Sequence, residues 1–222
     1  MMHIIQKEIL AKLIGAKSLR FSQLKPVDIE SNHFMYHLRA LIREGLVEKK
    51  PTGEYSLTTE GKLYADQVNL KTLKVRRQPK IVTLVAVQNK EGNWLLYKRN
   101  HQPLINQIGF PYGKLHLGET VNEAAERELL EKTGLKCKLT HKGDGYIIMH
   151  EDGKPVSQIC FHLFYGKNPT GNMKTETHYG KIFWSKPGED FKTKPHMAAL
   201  HDLVKLASRK QKDRFFAELT YK

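Results

Sequence analysis

The sequence predicts an α+β protein of two domains, residues 1–78 and 79–222. Three observations predict it. Before position 79, apolar residues recur at helical spacing, with one short hairpin signal among them. After it, β-branched and alternating runs surround a single strongly capped helix. Between the two patterns lies Lys71 to Lys80, a basic stretch containing Pro79 that reads as a linker. A length of 222 residues suits one or two domains.

In the first part, His3 to Ile14 carries Ile5, Ile9, Leu10 and Leu13 on one helical face. Ser18 opens a short helix through Leu24, and Pro26 ends it. Ser31 is expected to cap a third helix, with Phe34, Leu38 and Leu41 at i, i+4 and i+7 and Gly45 as its stop. Leu46–Lys49 and Tyr55–Thr58 form extended runs around Pro51, Thr52 and Gly53. A last helix is expected from Thr59 to about Leu73.

This order, with the wording FSQL, SNHFMYHLRALIREGLVEKK and YSLTTEGK, resembles the winged helix-turn-helix transcription regulators over about residues 4 to 70. The resemblance implies a third helix in the DNA major groove and a hairpin wing on the phosphate backbone. Carried onto this chain, the DNA-binding residues are Asn32, His33, Tyr36, Arg39 and Arg43 on the helix and Lys49 and Lys50 on the wing. Winged helices also serve protein contacts, so double-stranded DNA and a homodimer are both expected partners. His33 and His37 sit four apart, and phosphate-facing or solvated imidazoles are the expectation for them.

In the second part, Ile81–Val87 reads as a buried strand, and Lys90 to Asn93 as a turn into Trp94–Lys98. Lys136–Leu139, Gly145–His150, Ser157–Tyr165 and Lys181–Trp184 read as further strands. Pro195–Lys210 reads as a closing helix. The organising stretch is Gly113 to Leu135. Thr120 and Glu123 form a capping box, a helix runs from Val121 to Thr133, and Gly134 is a left-handed cap. Val121, Ala125 and Leu129 give it a buried face. Glu128 and Glu131 lie three apart on another face, with Glu119 in the loop before them. Carboxylates crowded in this way repel unless a hard divalent cation sits between them, and Mg²⁺ takes oxygen ligands together with substrate phosphates.

The stretch resembles the signature of the Nudix hydrolases, G-x5-E-x7-R-E-U-x-E-E-x-G-U. Gly113, Glu119, Arg127, Glu128, Leu129, Glu131, Gly134 and Leu135 match, and Lys132 stands where the signature has its last Glu. The resemblance implies an α/β/α sandwich with a mixed sheet. It implies hydrolysis of a nucleoside diphosphate linked to another moiety, with Mg²⁺ or Mn²⁺ as cofactor. The implied catalytic residues are Glu128, Arg127 and Glu119. The implied metal ligands are Glu128 and Glu131, with Glu176 as a third carboxylate from a later loop and Glu151 and Asp152 as alternatives. Lys98, Arg99, Tyr112 and Lys132 are the expected substrate contacts. The alternative function is a nucleotide-sensing transcription regulator with a weakly active or inactive Nudix domain.

Net charge is +14, with +6 before Pro79 and +8 from there on, so both parts favour polyanionic partners. Cys137 and Cys160 are too isolated for a disulfide framework, which suits a cytoplasmic protein. No run approaches a membrane span, so no membrane partner is expected.

Overall fold

Backbone contacts divide the chain into two units, Met1–Gln78 and Pro79–Lys222. The computed structural model describes residues 2–69, 72, 74–186, 195–210 and 214–221.

The N-terminal unit contains α1 (Ile4–Ile14), α2 (Phe21–Leu24), α3 (Ser31–Arg43), β1 (Val47–Lys49), β2 (Tyr55–Leu57) and α4 (Thr59–Gln67). Its core joins Ile5, Ile9, Leu10 and Leu13 of α1 to Phe34, Leu38 and Leu41 of α3, so both helical stripes are buried. Three expectations change. The second helix starts at Phe21 and not at Ser18, because Leu19 makes a β-bridge to Tyr55. Ser31 is the first helical residue of α3 and makes no cap; Glu30 is the N-cap position and its side chain makes no capping bond. The last helix stops at Gln67, because Val68 is extended and buried and pairs with Val75. The Asn69 side chain accepts the Thr72 amide at 3.2 Å, which turns the chain between β3 (Val68–Asn69) and β4 (Lys74–Val75).

The C-terminal unit is built on one mixed sheet. Its strands are β5 (Lys80–Gln88), β6 (Trp94–Arg99), β10 (Leu139–Glu151), β11 (Lys154–Lys167), β13 (Glu176–Thr177), β14 (Gly180–Ser185) and β15 (Phe215–Tyr221). Their order is β13-β14-β6-β5-β11-β10-β15, with β11 parallel to β5 and β15 parallel to β10. Two short strands, β7 (Ile108–Gly109) and β8 (Tyr112–Lys114), pair with β6 and β5. β5 and β6 meet only at Gln88 and Trp94 and then diverge around the β7–β8 segment.

Helices cover both faces. α5 (Val121–Thr133) buries Ala125 and Leu129 against Val85, Val87 and Phe164. α6 (Leu200–Ser208) buries Leu200, Leu203, Leu206 and Ala207 against Val82, Leu84, Phe161 and Leu163. The two faces follow the strand alternation: odd positions of β5 meet α5 and even ones meet α6. A second small pair, β9 (Leu135–Lys136) with β12 (Thr170–Gly171), flanks the C-terminus of α5.

Three sequence expectations differ here. The two strands expected between Lys136 and His150 are instead β9 and a 13-residue β10 bulged at His141/Gly143 and Met149/His150. Residues 195–197 are not helical. The Ile108 amide donates to the Pro195 carbonyl at 3.1 Å, and the Met197 amide to the Ile108 carbonyl at 2.8 Å, so His196 makes a parallel bridge beside β7. The last strand, β15, was not expected at all. Among the described residues, no helix is long and apolar enough to cross a membrane.

Candidate active site

The site forms where α5 crosses β8. The N-terminus of α5 is built as its sequence requires. The Glu123 amide donates to Thr120 Oγ1 at 3.3 Å, and the Thr120 amide donates to the Glu123 carboxylate at 2.8 Å. Gly134 ends the helix at φ 75°, donating its amide to the Leu130 carbonyl at 2.8 Å. The helix axis and register are therefore fixed at both ends, and Glu128 faces the sheet.

Gly113 is paired with Thr83 of β5 and meets Glu128 directly. A Cβ on Gly113 would lie 1.7 Å from Glu128 Cδ and 1.8 and 2.0 Å from its two oxygens. Glycine is required for space, so that a carboxylate can lie against the strand backbone. Glu128 is only 5% exposed. Such a buried charge needs partners. Arg127 Nη1 donates to its Oε1 at 2.8 Å, and Lys132 Nζ lies 2.9 Å from its Oε2. Lys132 Nζ also donates to the Tyr112 carbonyl, and its ammonium lies over the Tyr112 and Tyr179 rings, 5.2 and 4.8 Å from their centroids.

Arg127 ties the carboxylates together. Its Nε and Nη2 grip Glu119 in a fork at 2.6 and 3.0 Å, its Nη2 donates to the Lys114 carbonyl at 3.1 Å, and Nη1 reaches Glu131 at 3.4 Å. The Arg127 hydrogen bonds, helped by the His116 amide, pull Glu119 down to about 2. The guanidinium is raised in turn, chiefly by Glu119. Burial lowers the Lys132 ammonium below the ordinary lysine value, against the opposing pull of Glu128.

Glu128 and Lys132 border a cavity of about 430 Å³ that is also lined by Lys80, Arg99, Tyr112, Lys114, His116 and Tyr179. Its cations crowd one another: Lys80 is lowered first by burial and then by Lys114 and Arg99. His101 is lowered by burial and then by Arg99 and Lys132.

The structure brings together Glu119, Arg127, Glu128, Glu131 and Lys132, of which Glu128 and Lys132 line the cavity together with Arg99 and Tyr112. Arg99 is buried and already donates to Tyr97 Oη at 3.3 Å, Tyr112 Oη, the His101 carbonyl at 2.9 Å and the Gln102 carbonyl at 3.4 Å. It therefore braces the cavity wall. Lys98 does not join them. It neighbours Arg99 on β6 and so points to the opposite face, into a separate cavity with Lys181 and Phe183. Glu176 is exposed on the edge strand β13, paired with Lys181, and does not line the cavity. Tyr179 and Lys80 do line it. Neither has a helix-borne motif to single it out, and only the sheet order brings them in. A larger cavity of about 640 Å³ on the other side of α5 is lined by Arg127 but by none of the clustered carboxylates.

The residues fit a hard divalent cation. The Tyr112 carbonyl and the Glu128 carboxylate are hard oxygen donors, and the Lys132 ammonium already lies against both as a stand-in cation. Glu131, three residues on and with its side chain 49% exposed, offers a further carboxylate but does not line the cavity.

In the N-terminal unit, the outer face of α3 is exposed at Asn32, His33, Tyr36, Arg39 and Arg43, as is Lys49 of the hairpin, while Lys50 is half-buried. His37 departs from the expectation of a solvated imidazole. It is 7% exposed, stacked on His3 with centroids 4.1 Å apart and bonded to His33 at 3.2 Å. Burial, then His3 and His33, lower it.

Residues 78–219 match the NUDIX domain. A Bacillus subtilis protein named "Putative 8-oxo-dGTP diphosphatase" is 35% identical over 105 residues, 47% of this chain. An ADP-ribose pyrophosphatase of Methanocaldococcus jannaschii is 33% identical over 89 residues, 38% of this chain. The chain spans 64% and 52% of the lengths of these two curated relatives. A MutT protein of known structure from Bacillus halodurans superposes with a TM-score of 0.51 at 26% identity, covering 64% of this chain and 90% of that one. A match over so much of the sequence, which includes the helix that carries Glu128, shows that the chain belongs to the NUDIX domain family.

Proposed function

We propose that the C-terminal unit hydrolyses a nucleoside diphosphate linked to another moiety, with Mg²⁺ or Mn²⁺ held by Glu128 and Glu131. The observation that carries this reading is the cavity in which Lys80, Arg99, Lys114 and Lys132 surround a single buried carboxylate. Cations that crowd and depress one another are relieved by a polyanion, and a diphosphate supplies one. When bound, the metal ion neutralises phosphate oxygens and acidifies a water. The chain's own groups do the rest. Arg127 fixes Glu119 and Glu128 in place. Glu128, held at the cavity floor, accepts the proton of the attacking water. Lys114 and Lys132 meet phosphate oxygens as point charges. Tyr112 and Tyr179 offer ring faces to the rest of the substrate.

A panel containing ADP-ribose and 8-oxo-dGTP, each with Mg²⁺ and with Mn²⁺, tests the reading by the phosphate products released. Glu128→Gln should lower turnover of any substrate by at least about a hundredfold, as expected for loss of a general base or metal ligand. Turnover of no member of the panel, or a Glu128→Gln variant within a few-fold of wild type, would defeat it.

The N-terminal unit is proposed to be a winged helix-turn-helix that binds double-stranded DNA through the exposed outer face of α3 and Lys49 and Lys50. One observation favours a second reading of the whole chain, that of a nucleotide-sensing regulator in the cytoplasm. The ammonium of Lys132 occupies the place that suits the metal ion, which favours ligand binding over turnover. In that case nucleotide should shift DNA affinity, and DNA should shift nucleotide affinity by the same factor.

A further inference from the structure

A second cluster of ligating side chains lies on the sheet away from the carboxylates of α5. His141 and Asp144 are on β10, and His162 is on β11. His141 Nε2 and His162 Nδ1 donate to the same oxygen, Asp144 Oδ1, at 2.7 and 2.6 Å. The three ligand atoms lie within 4.8 Å of one another.

The backbone explains how they meet. Asp144 and His162 are register partners in the β10–β11 ladder, so their side chains share a face. His141 lies three residues before Asp144, and in a regular strand it would face the other way. The register shift between His141 and Gly143 inserts one extra residue and turns His141 onto the face of Asp144. Bulges re-aim side chains in this way at functional positions. The Phe164 ring, its centroid 5.0 Å from that of His141, supports the imidazole from behind.

We propose that His141, Asp144 and His162 bind one borderline divalent transition-metal ion, of the class of Zn²⁺, Co²⁺ or Ni²⁺. Two imidazoles and one carboxylate select such ions over Mg²⁺ and Ca²⁺, which prefer all-oxygen sites. Metal–donor distances of about 2.0–2.2 Å in a tetrahedral arrangement need donor separations of roughly 3.3 Å. The present 2.6 and 2.7 Å contacts open to that by shifts of about 0.6 to 0.7 Å, within reach of small side-chain rotations. The side chains are 12%, 36% and 22% exposed for His141, Asp144 and His162, so an ion has access and an open position remains for water. A further group stands beside the cluster. Thr83 is the register partner of His162 on β5, is fully buried, and its Oγ1 has no hydrogen-bond partner among the described residues.

This site is separate from the one at Glu128. Along the row Asp144, His162, Thr83, Gly113, the histidine is two strands from the glycine that cradles Glu128, roughly 10 Å. One ion cannot serve both places.

The test uses the untagged full chain, stripped of metal and titrated with Co²⁺ and Zn²⁺. The strong visible absorption of low-coordinate Co²⁺ is expected to saturate at one ion per chain, apart from any weakly absorbing six-coordinate Co²⁺ at the all-oxygen Glu128 site, and Zn²⁺ should displace it. Asp144→Asn and His162→Gln should each weaken Co²⁺ binding at least tenfold, whereas Glu128→Gln and Glu131→Gln should leave the spectrum unchanged. X-ray absorption of the Zn²⁺-loaded wild type should show two imidazoles and one carboxylate, a readout that does not depend on variants folding. A first shell without imidazole, no binding up to millimolar Co²⁺, or binding lost with Glu128→Gln and kept in His162→Gln would overturn the proposal.

Discussion

Lys132→Glu should tighten Mg²⁺ binding at the α5 site, and the size of the effect can be worked from the cluster. Glu119, Glu128 and Glu131 carry three negative charges, and Arg127 and Lys132 return two, so the net charge is −1. The substitution makes it −3 and frees Glu128 Oε2 from the ammonium 2.9 Å away. Two unit charges 4 Å apart interact by about 1 kcal/mol in water and by ~4 kcal/mol at an effective dielectric of 20. A change of two units beside a doubly charged ion multiplies that fourfold, so even the aqueous limit gives ~4 kcal/mol. Repulsion from the new carboxylate takes back part of this. A tenfold to thousandfold gain is therefore expected, which is about 1.4 to 4 kcal/mol. Lys132→Ala changes one unit and should gain roughly half as much in free energy. Calorimetric titration with Mg²⁺ measures binding, and loss of the free-ion electron spin resonance signal measures Mn²⁺. If both variants bind either ion within about threefold of wild type, Lys132 is not competing for the cation position, and the argument is wrong.

The other predictions bear on the same cluster and on the N-terminal unit. Gly113→Ala would drive its Cβ into the tip of the Glu128 side chain, which can swing away, so stability should fall by only about 1 kcal/mol while turnover falls at least tenfold. Gly145→Ala is the contrast: its Cβ would lie 2.1 Å from the Ala217 carbonyl, so thermal unfolding should show a far larger loss. Lys132 is lowered by burial, so it sheds its proton before the ordinary lysine value is reached. Mg²⁺ affinity should then rise with pH on the alkaline side, and Lys132→Met should flatten that rise. Full-length protein should bind duplex DNA with affinity falling steeply with salt, and replacing Lys49 and Lys50 should flatten the slope by up to about two phosphates. Anisotropy across a salt series reads this, and no binding at low salt would remove DNA from the proposal.

Much of the α5 region was legible because its information is local. Thr120, Glu123 and Gly134 fix the helix ends from within a few residues of sequence, and the structure has those bonds. Arg127 and Glu119 were singled out through the family resemblance alone, and their hydrogen bonds at 2.6 and 3.0 Å join loop to helix. What could not be read was long-range. The fate of Lys98 and Arg99 turned on which face of β6 met the cavity. The His141–Asp144–His162 cluster needed the bulge in β10 and the β10–β11 register, neither of which has a sequence signal. The strand β15 was different: Phe215 to Tyr221 alternates half-buried and exposed positions, and its two-residue period was there to be read.

That last strand also sets an order of events. β15 lies parallel to β10 from Gly143↔Phe215 to Met149↔Tyr221, so close that Gly143 and Gly145 leave no room for a side chain against its carbonyls. On the ribosome, β10 and β11 can zip together as a hairpin as soon as they emerge, and α5 is already made. The outer edge of β10 then waits, its amides and carbonyls unpaired, until Tyr221 has been synthesised. An open edge of that length is a template for other nascent chains. Shortening the chain before Phe215 should therefore show first as inclusion bodies, while the carboxylate cluster under α5 still assembles.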